Sequence, residues 1–148
     1  MQKKRRSLAV ALLVIYLVAA ATLFLWPRGG GLHRVHLDIW LVLRTWGMPA
    51  SISPDATEFV LNMLVFLIGA LLLAAVFPTV RIRYWVAAGV LISLGIEVAQ
   101  GTLLPERNMD WVDVAANSLG AVVGGVLVRM VRHKHQAEPR LPWDIGAA

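Results

Sequence analysis

Four stretches of this chain are apolar for about the length of a membrane crossing, and that limits its possible folds more than any other feature. A bilayer's hydrocarbon core is about 30 Å thick, so a spanning helix needs about 20 apolar residues. The windows Leu8–Trp26, Glu58–Phe77, Tyr84–Leu104 and Trp111–Val131 meet that length. No water reaches the bilayer core, so backbone groups must pair within each segment, and each window is expected to be a helix. The chain is 58% hydrophobic, above the half that soluble domains carry, and the excess lies in runs rather than being dispersed by period. The predicted fold is all-α: one integral membrane bundle of four transmembrane helices over residues 1–131, followed by a polar tail over 132–148.

The charges suggest an orientation. Ten of the 14 Lys and Arg lie before the first window (Lys3, Lys4, Arg5, Arg6), between the second and third (Arg81, Arg83), or from Arg129 onward. Cytoplasmic loops of membrane proteins carry such an excess. The expectation is therefore N-in/C-in, with the segment Pro27–Thr57 and the short Pro105–Asp110 connection facing outward. The basic residues fix topology in this reading, and no nucleic-acid partner is expected. Trp26, Trp85 and Trp111 fall at window edges, where indole rings prefer the headgroup level. A basic start and Ala19-Ala20-Ala21 resemble a signal peptide, but the apolar run continues to Trp26, so an uncleaved helix is expected. Pro27 and Gly29-Gly30-Gly31 should end it. Within the outer loop, Leu37–Leu43 is apolar but too short to span. It is read either as a re-entrant or interfacial helix or as a loop packed over the bundle. The chain has no cysteine, which excludes disulfides, thiol catalysis and cysteine metal sites.

Polar groups inside the spans carry the functional expectation, because an ionisable side chain within a membrane is costly. Glu97 lies roughly 10 Å from the outer end of the third window, Asn117 roughly 9 Å into the fourth and Asn62 roughly 6 Å into the second, at 1.5 Å per residue. Ser93, Glu97 and Gln100 share one helix face; Asp110, Asp113 and Asn117 share another. The second stripe continues as Gly120 and Gly124, whose small size lets helix backbones approach closely. Arg107 sits in the loop above. Together these residues predict an outward-facing polar pocket, rich in acceptors, with one guanidinium. Glu97, Asp110 and Asp113 cannot all be charged cheaply at close range. Some must pair with Arg107, share a proton or hold a cation. Alternatively, these residues are interhelical clamps, each contributing about 1 kcal/mol.

The run Ser93-Leu94-Gly95-Ile96-Glu97-Val98-Ala99-Gln100, followed by Arg107, Asp110, Asp113, Asn117, Gly120 and Gly124, closely resembles the VanZ-like membrane protein family. The resemblance extends more weakly to Asn62 and Phe66. There the family pattern is Phe-x-Pro-x-Gly, whereas this chain reads Phe66-Leu67-Ile68-Gly69, without the proline and with the glycine displaced by one. The resemblance implies a multi-pass protein of the bacterial cell membrane. It also implies an association with lowered susceptibility to teicoplanin-type glycopeptide antibiotics.

Three functions fit these residues. In the first, the pocket binds a membrane lipid or a lipid-linked cell-wall precursor, with Arg107 on a phosphate and Asn62, Gln100 and Asn117 on sugar or amide groups. In the second, a membrane enzyme acts on such a lipid, with Glu97, Asp110 and Asp113 as catalytic candidates for acid–base work or as oxygen ligands for a divalent cation. The third is a small oligomeric transporter, although no inverted repeat supports alternating access. His33 and His36, and His133 and His135, are read as solvated surface residues rather than metal ligands.

Overall fold

The computed structural model describes residues 2–26, 29–104 and 108–137. Pro27, Pro105, Arg107 and the tail residues 138–148 lie outside the described residues. All described regular structure is helical: α1 Gln2–Phe24, α2 Gly29–Thr45, α3 Pro54–Val76, α4 Ile82–Leu103 and α5 Trp111–Ala137. Four of these helices, α1, α3, α4 and α5, are long and apolar enough to cross a membrane. They alternate in direction along the chain, so α3 and α5 run parallel while α1 and α4 oppose them. One end of the bundle carries the α2 segment and Asp110. The other carries the α3–α4 turn at Arg81. They are called here the Asp110 end and the Arg81 end.

The helix boundaries differ from the hydropathy windows where capping chemistry overrides apolarity. α3 starts at Pro54 rather than Glu58. Ser53 is its N-cap, with its side chain accepting from the Ala56 N–H at 3.1 Å. Pro54 occupies the first turn, where its missing N–H costs nothing, and Asp55 there suits the positive end of the helix dipole. A hydropathy window rejects charged residues, but a helix start favours them. Asn62 is consequently eight residues into its helix, about 12 Å rather than 6 Å. α5 likewise runs past Val131 to Ala137. Arg132 there donates to the Val80 and Ala74 carbonyls at 3.3 and 3.4 Å, which serves unpaired acceptors around the C-terminal end of α3.

The segment between the first two spans is a full helix, α2, not a seven-residue patch. Gly29-Gly30-Gly31 forms its first turn. It ends in a Schellman motif: Gly47 has φ +99°, its N–H bonds Arg44 O at 3.1 Å, and the Met48 N–H bonds Leu43 O at 3.0 Å. Trp40 donates from its indole to the Ile52 carbonyl at 2.9 Å, which holds the α2–α3 link against the helix. The solvated reading of His36 is wrong. It is buried, with Nδ1 2.9 Å from Glu58 Oε1 on α3, because α2 folds back onto α3 rather than standing in water. His33 is exposed.

The α3–α5 pair is the most extensively packed, followed by α4 on α5 and α1 on α3. Glycine decides how closely they approach. A Cβ at Gly120 would lie 2.0 Å from Met63 O, and one at Gly124 would lie 2.9 Å from Leu67 O and 2.8 Å from Ala70 Cβ. On the other flank of α5, a Cβ at Gly125 would meet Ile82 Cγ2 of α4 at 2.8 Å. α3 runs unbroken through Phe66–Gly69. The glycine there leaves room for α1, since its added Cβ would lie 3.1 Å from the Tyr16 hydroxyl oxygen. That hydroxyl donates to the Val65 carbonyl, and Phe24 meets Phe66 edge-on at 5.8 Å.

This geometry makes Gly120 intolerant of even one methyl group. Gly120→Ala is expected to destabilise the bundle by about 1–3 kcal/mol, the range for overpacking. Gly95→Ala, where an added Cβ meets nothing within 4 Å, should be neutral or slightly stabilising. Thermal unfolding of the two variants in detergent checks the contrast.

Candidate functional site

The polar residues of α3, α4 and α5 come together beneath the Asp110 end. Glu97 is 1% exposed, Gln100 1%, and Ser93 and Asn117 0%. These are the largest fully buried side chains in the described structure, although each lies in a helix whose outer face is apolar. The α4–α5 register explains the convergence. Gly89 of α4 packs against Ala121 of α5. In an antiparallel pair, one turn further toward the Asp110 end sets Ser93 level with Asn117, and the next sets Glu97 level with Asp113.

At the start of α5 the carboxylates divide the work. Asp110 is the N-cap: its Oδ1 accepts from the Val112 N–H at 2.7 Å, and its carbonyl accepts from Val114 N at 3.3 Å. In a capping box the residue three further on reaches back to the N-cap N–H. Here Glu97 of α4 takes that donor instead, with Oε2 2.8 Å from Asp110 N. Asp113 accepts from Asn62 Nδ2 of α3 at 2.7 Å. One helix start thus ties α4 and α3 to α5. Gln100, one turn beyond Glu97, donates to the Phe24 carbonyl at 2.8 Å, so α1 is also held at this end.

Ser93 Oγ and both amide atoms of Asn117 are buried and have no hydrogen-bond partner among the described residues. A buried polar group left unpaired costs about 1–3 kcal/mol, which makes such groups rare in folded proteins. Their hydrogen-bonding capacity is unused among the described residues, at the level where α4 and α5 carry Ser93 and Asn117.

The structure therefore groups Asn62, Ser93, Glu97, Gln100, Asp113 and Asn117 beneath one end. Asp110 stands apart from them in exposure, because it faces outward as a cap. Gly120 and Gly124 lie one and two turns below Asn117, on the α3 contact. Arg107 lies outside the described residues. Among the described residues, no three His, Asp or Glu side chains gather as a metal-binding group would. A cavity beside the cluster, between α1 and α4, is lined almost wholly by apolar side chains, not by the polar set. Sequence reasoning missed His36, Glu58 and the cleft. A signal for the first pair was present: Glu58 lies one turn beyond the Ser53-Pro54-Asp55 helix start, within reach of a preceding amphipathic segment.

Asp110→Ala should cost about 0.5–2 kcal/mol of stability through the lost cap, and Asp110→Ser should restore most of it. Asn62→Leu, which leaves Asp113 without its α3 donor, should cost about 1 kcal/mol. Chemical unfolding in mixed micelles measures both.

The chain matches the family model described as VanZ/LLP1 over residues 10–132. No curated protein matches it, and no solved structure does.

Proposed function

We propose, from the premise that this chain belongs to the VanZ/LLP1 family, that it is a lipid-binding protein of the bacterial cell membrane. Its polar cluster would hold the headgroup of a membrane lipid or lipid-linked cell-wall precursor. One observation carries this reading: Asn117 and Ser93 are wholly buried and have no partner among the described residues, amid groups that are otherwise hydrogen-bonded. An amide can both donate and accept, which suits sugar hydroxyls and peptide groups. A clamp, by contrast, would have its own bonds satisfied.

In this proposal the Arg81 end is cytoplasmic. The basic residues of the N-terminus, of Arg81 and Arg83, and of Arg129 onward belong to that end by chain order, and such an excess faces the cytoplasm. The Asp110 end then meets the outer leaflet. Arg107, three residues before the α5 cap, supplies a guanidinium for phosphate. A change in glycopeptide susceptibility would follow from masking or retaining a surface lipid target.

Two measurements test the reading. The chain has no native cysteine, so single cysteines at Ser51 and Thr79 can be labelled in intact cells with an impermeant maleimide. Ser51→Cys should react from outside and Thr79→Cys only after permeabilisation; the reverse overturns the orientation. Full-length protein in nanodiscs should bind a polyprenyl-diphosphate-linked sugar or phosphatidylglycerol. Asn117→Leu and Arg107→Ala should each weaken that binding at least tenfold, about 1.4 kcal/mol. Unchanged affinity in both variants overturns the headgroup site, and turnover of the lipid in the same sample would identify an enzyme instead.

A further inference from the structure

We infer that the cleft between α1 and α4 is a binding site for a single alkyl chain of a bilayer lipid. The cleft holds about 460 Å³, within the range of small-ligand sites. It exists because α1 rests on α3 and makes little contact with α4. Its walls are cut back by small residues: Ala20 and Ala21 on α1, Ala88 and Gly89 on α4. Phe66 and Ala70 of α3 form its floor, so it reaches past the outer helices to the centre of the bundle. The Tyr16 hydroxyl in the lining is already bonded to the Val65 carbonyl. What remains is hydrocarbon surface except for the Trp85 indole, whose buried Nε1 has no partner among the described residues.

The location selects the occupant. Both walls are membrane-spanning helices, and the medium at that depth is hydrocarbon. An empty space of this size would forfeit the dispersion contacts of its whole lining. A helix of a second copy is about 10–12 Å across with its side chains, too thick to reach a floor set between neighbouring helices; a linear chain can reach it. The Gln100–Phe24 bond ties α1 to α4 above the cleft, and Gln100 shares its helix face with Glu97 and Ser93. A lipid whose chain fills the cleft would meet the polar cluster with its head. That placement of the head rests on the headgroup reading above; the chain site itself does not.

Photolabelling tests the site. Full-length protein is reconstituted in phosphatidylethanolamine and phosphatidylglycerol vesicles containing a phosphatidylcholine with a mid-chain diazirine, irradiated, and mapped by peptide mass spectrometry. Label is expected on Phe66 and on Ala70, which at 8% exposure is out of reach of ordinary surrounding lipid. Ala20→Phe and Ala88→Phe, which fill the cleft from opposite walls, should each reduce floor labelling at least fivefold. Val18→Phe, on the lipid-facing side of α1, should leave it unchanged, and matched helical circular dichroism controls for folding. An unlabelled floor in the parent chain overturns the proposal. So does labelling that survives both filling variants, or a chain-to-chain cross-link in place of the lipid adduct. The two lipid readings fail separately. Floor labelling that persists in Asn117→Leu while headgroup binding was never selective sinks the headgroup site alone. Selective headgroup binding with an unlabelled floor sinks the cleft alone.

Discussion

The Met63 carbonyl oxygen sits 2.0 Å from where a side chain at Gly120 would begin, and the remaining architecture follows from that approach. Hydrocarbon tails are as apolar as the helices, so burial from water does not drive helix association in a bilayer; close packing and interhelical hydrogen bonds do. α5 therefore meets α3 along the glycine stripe, which also fixes its rotation. Asn117 lies three residues before Gly120, and Asp113 lies four before Asn117. The contact that seats the glycines thus buries Asn117 and presents Asp113 to Asn62. α4 is set by the same logic from the adjacent flank, through Gly89 on Ala121 and Gly125 on Ile82.

The hydrogen bonds at the Asp110 end follow from the start of α5. A helix N-terminus leaves its first N–H groups without intrahelical acceptors, and here they are served partly from other helices. Glu97 crosses from α4 to the Asp110 N–H, while Asp110 serves Val112. The positive end of the helix dipole favours three carboxylates in this region. That accounts for acidic residues at a depth where they would otherwise be costly. It does not account for Asn117 and Ser93, which gain no protein partner among the described residues and so lower stability. The cluster contains both a structural part and a part that the fold alone does not explain.

The spans were legible because the bilayer sets their length, and a run of apolar residues reports that length directly. The faces of α4 and α5 were legible because polar and small residues recur at three and four. Asp110 was read as part of the pocket, although an Asp immediately before Trp111 and a long apolar run is an N-cap signal. The α3 start was misplaced for the same reason: Ser53-Pro54-Asp55 is polar, and a hydropathy criterion discards the residues that begin helices. α2 was seen only as its apolar core, while Gly47 marked its true end. The cleft had no sequence signature. Its alanines and glycines are scattered over different helices, and each is ordinary in a membrane segment. They become a cavity only once α1 settles on α3 and leaves α4, and no sequence pattern encodes that pairing.

α4 is where the two surfaces meet. One face carries Ser93, Glu97 and Gln100 toward α5 and the Asp110 end. The neighbouring face carries Ala88, Ile92 and Ile96 into the cleft. Gln100 belongs to the first and roofs the second, because its amide reaches the Phe24 carbonyl. Phe24 is the last residue of α1, and its carbonyl is one of the acceptors that a helix C-terminus leaves open. The end of α1 is therefore positioned by a residue of the polar cluster, so the width of the apolar cleft and the arrangement of the polar groups are mechanically linked. An amphiphile needs adjoining polar and apolar surfaces of that kind. In this fold one side chain, bonded across the top of the cleft, sets the boundary between them.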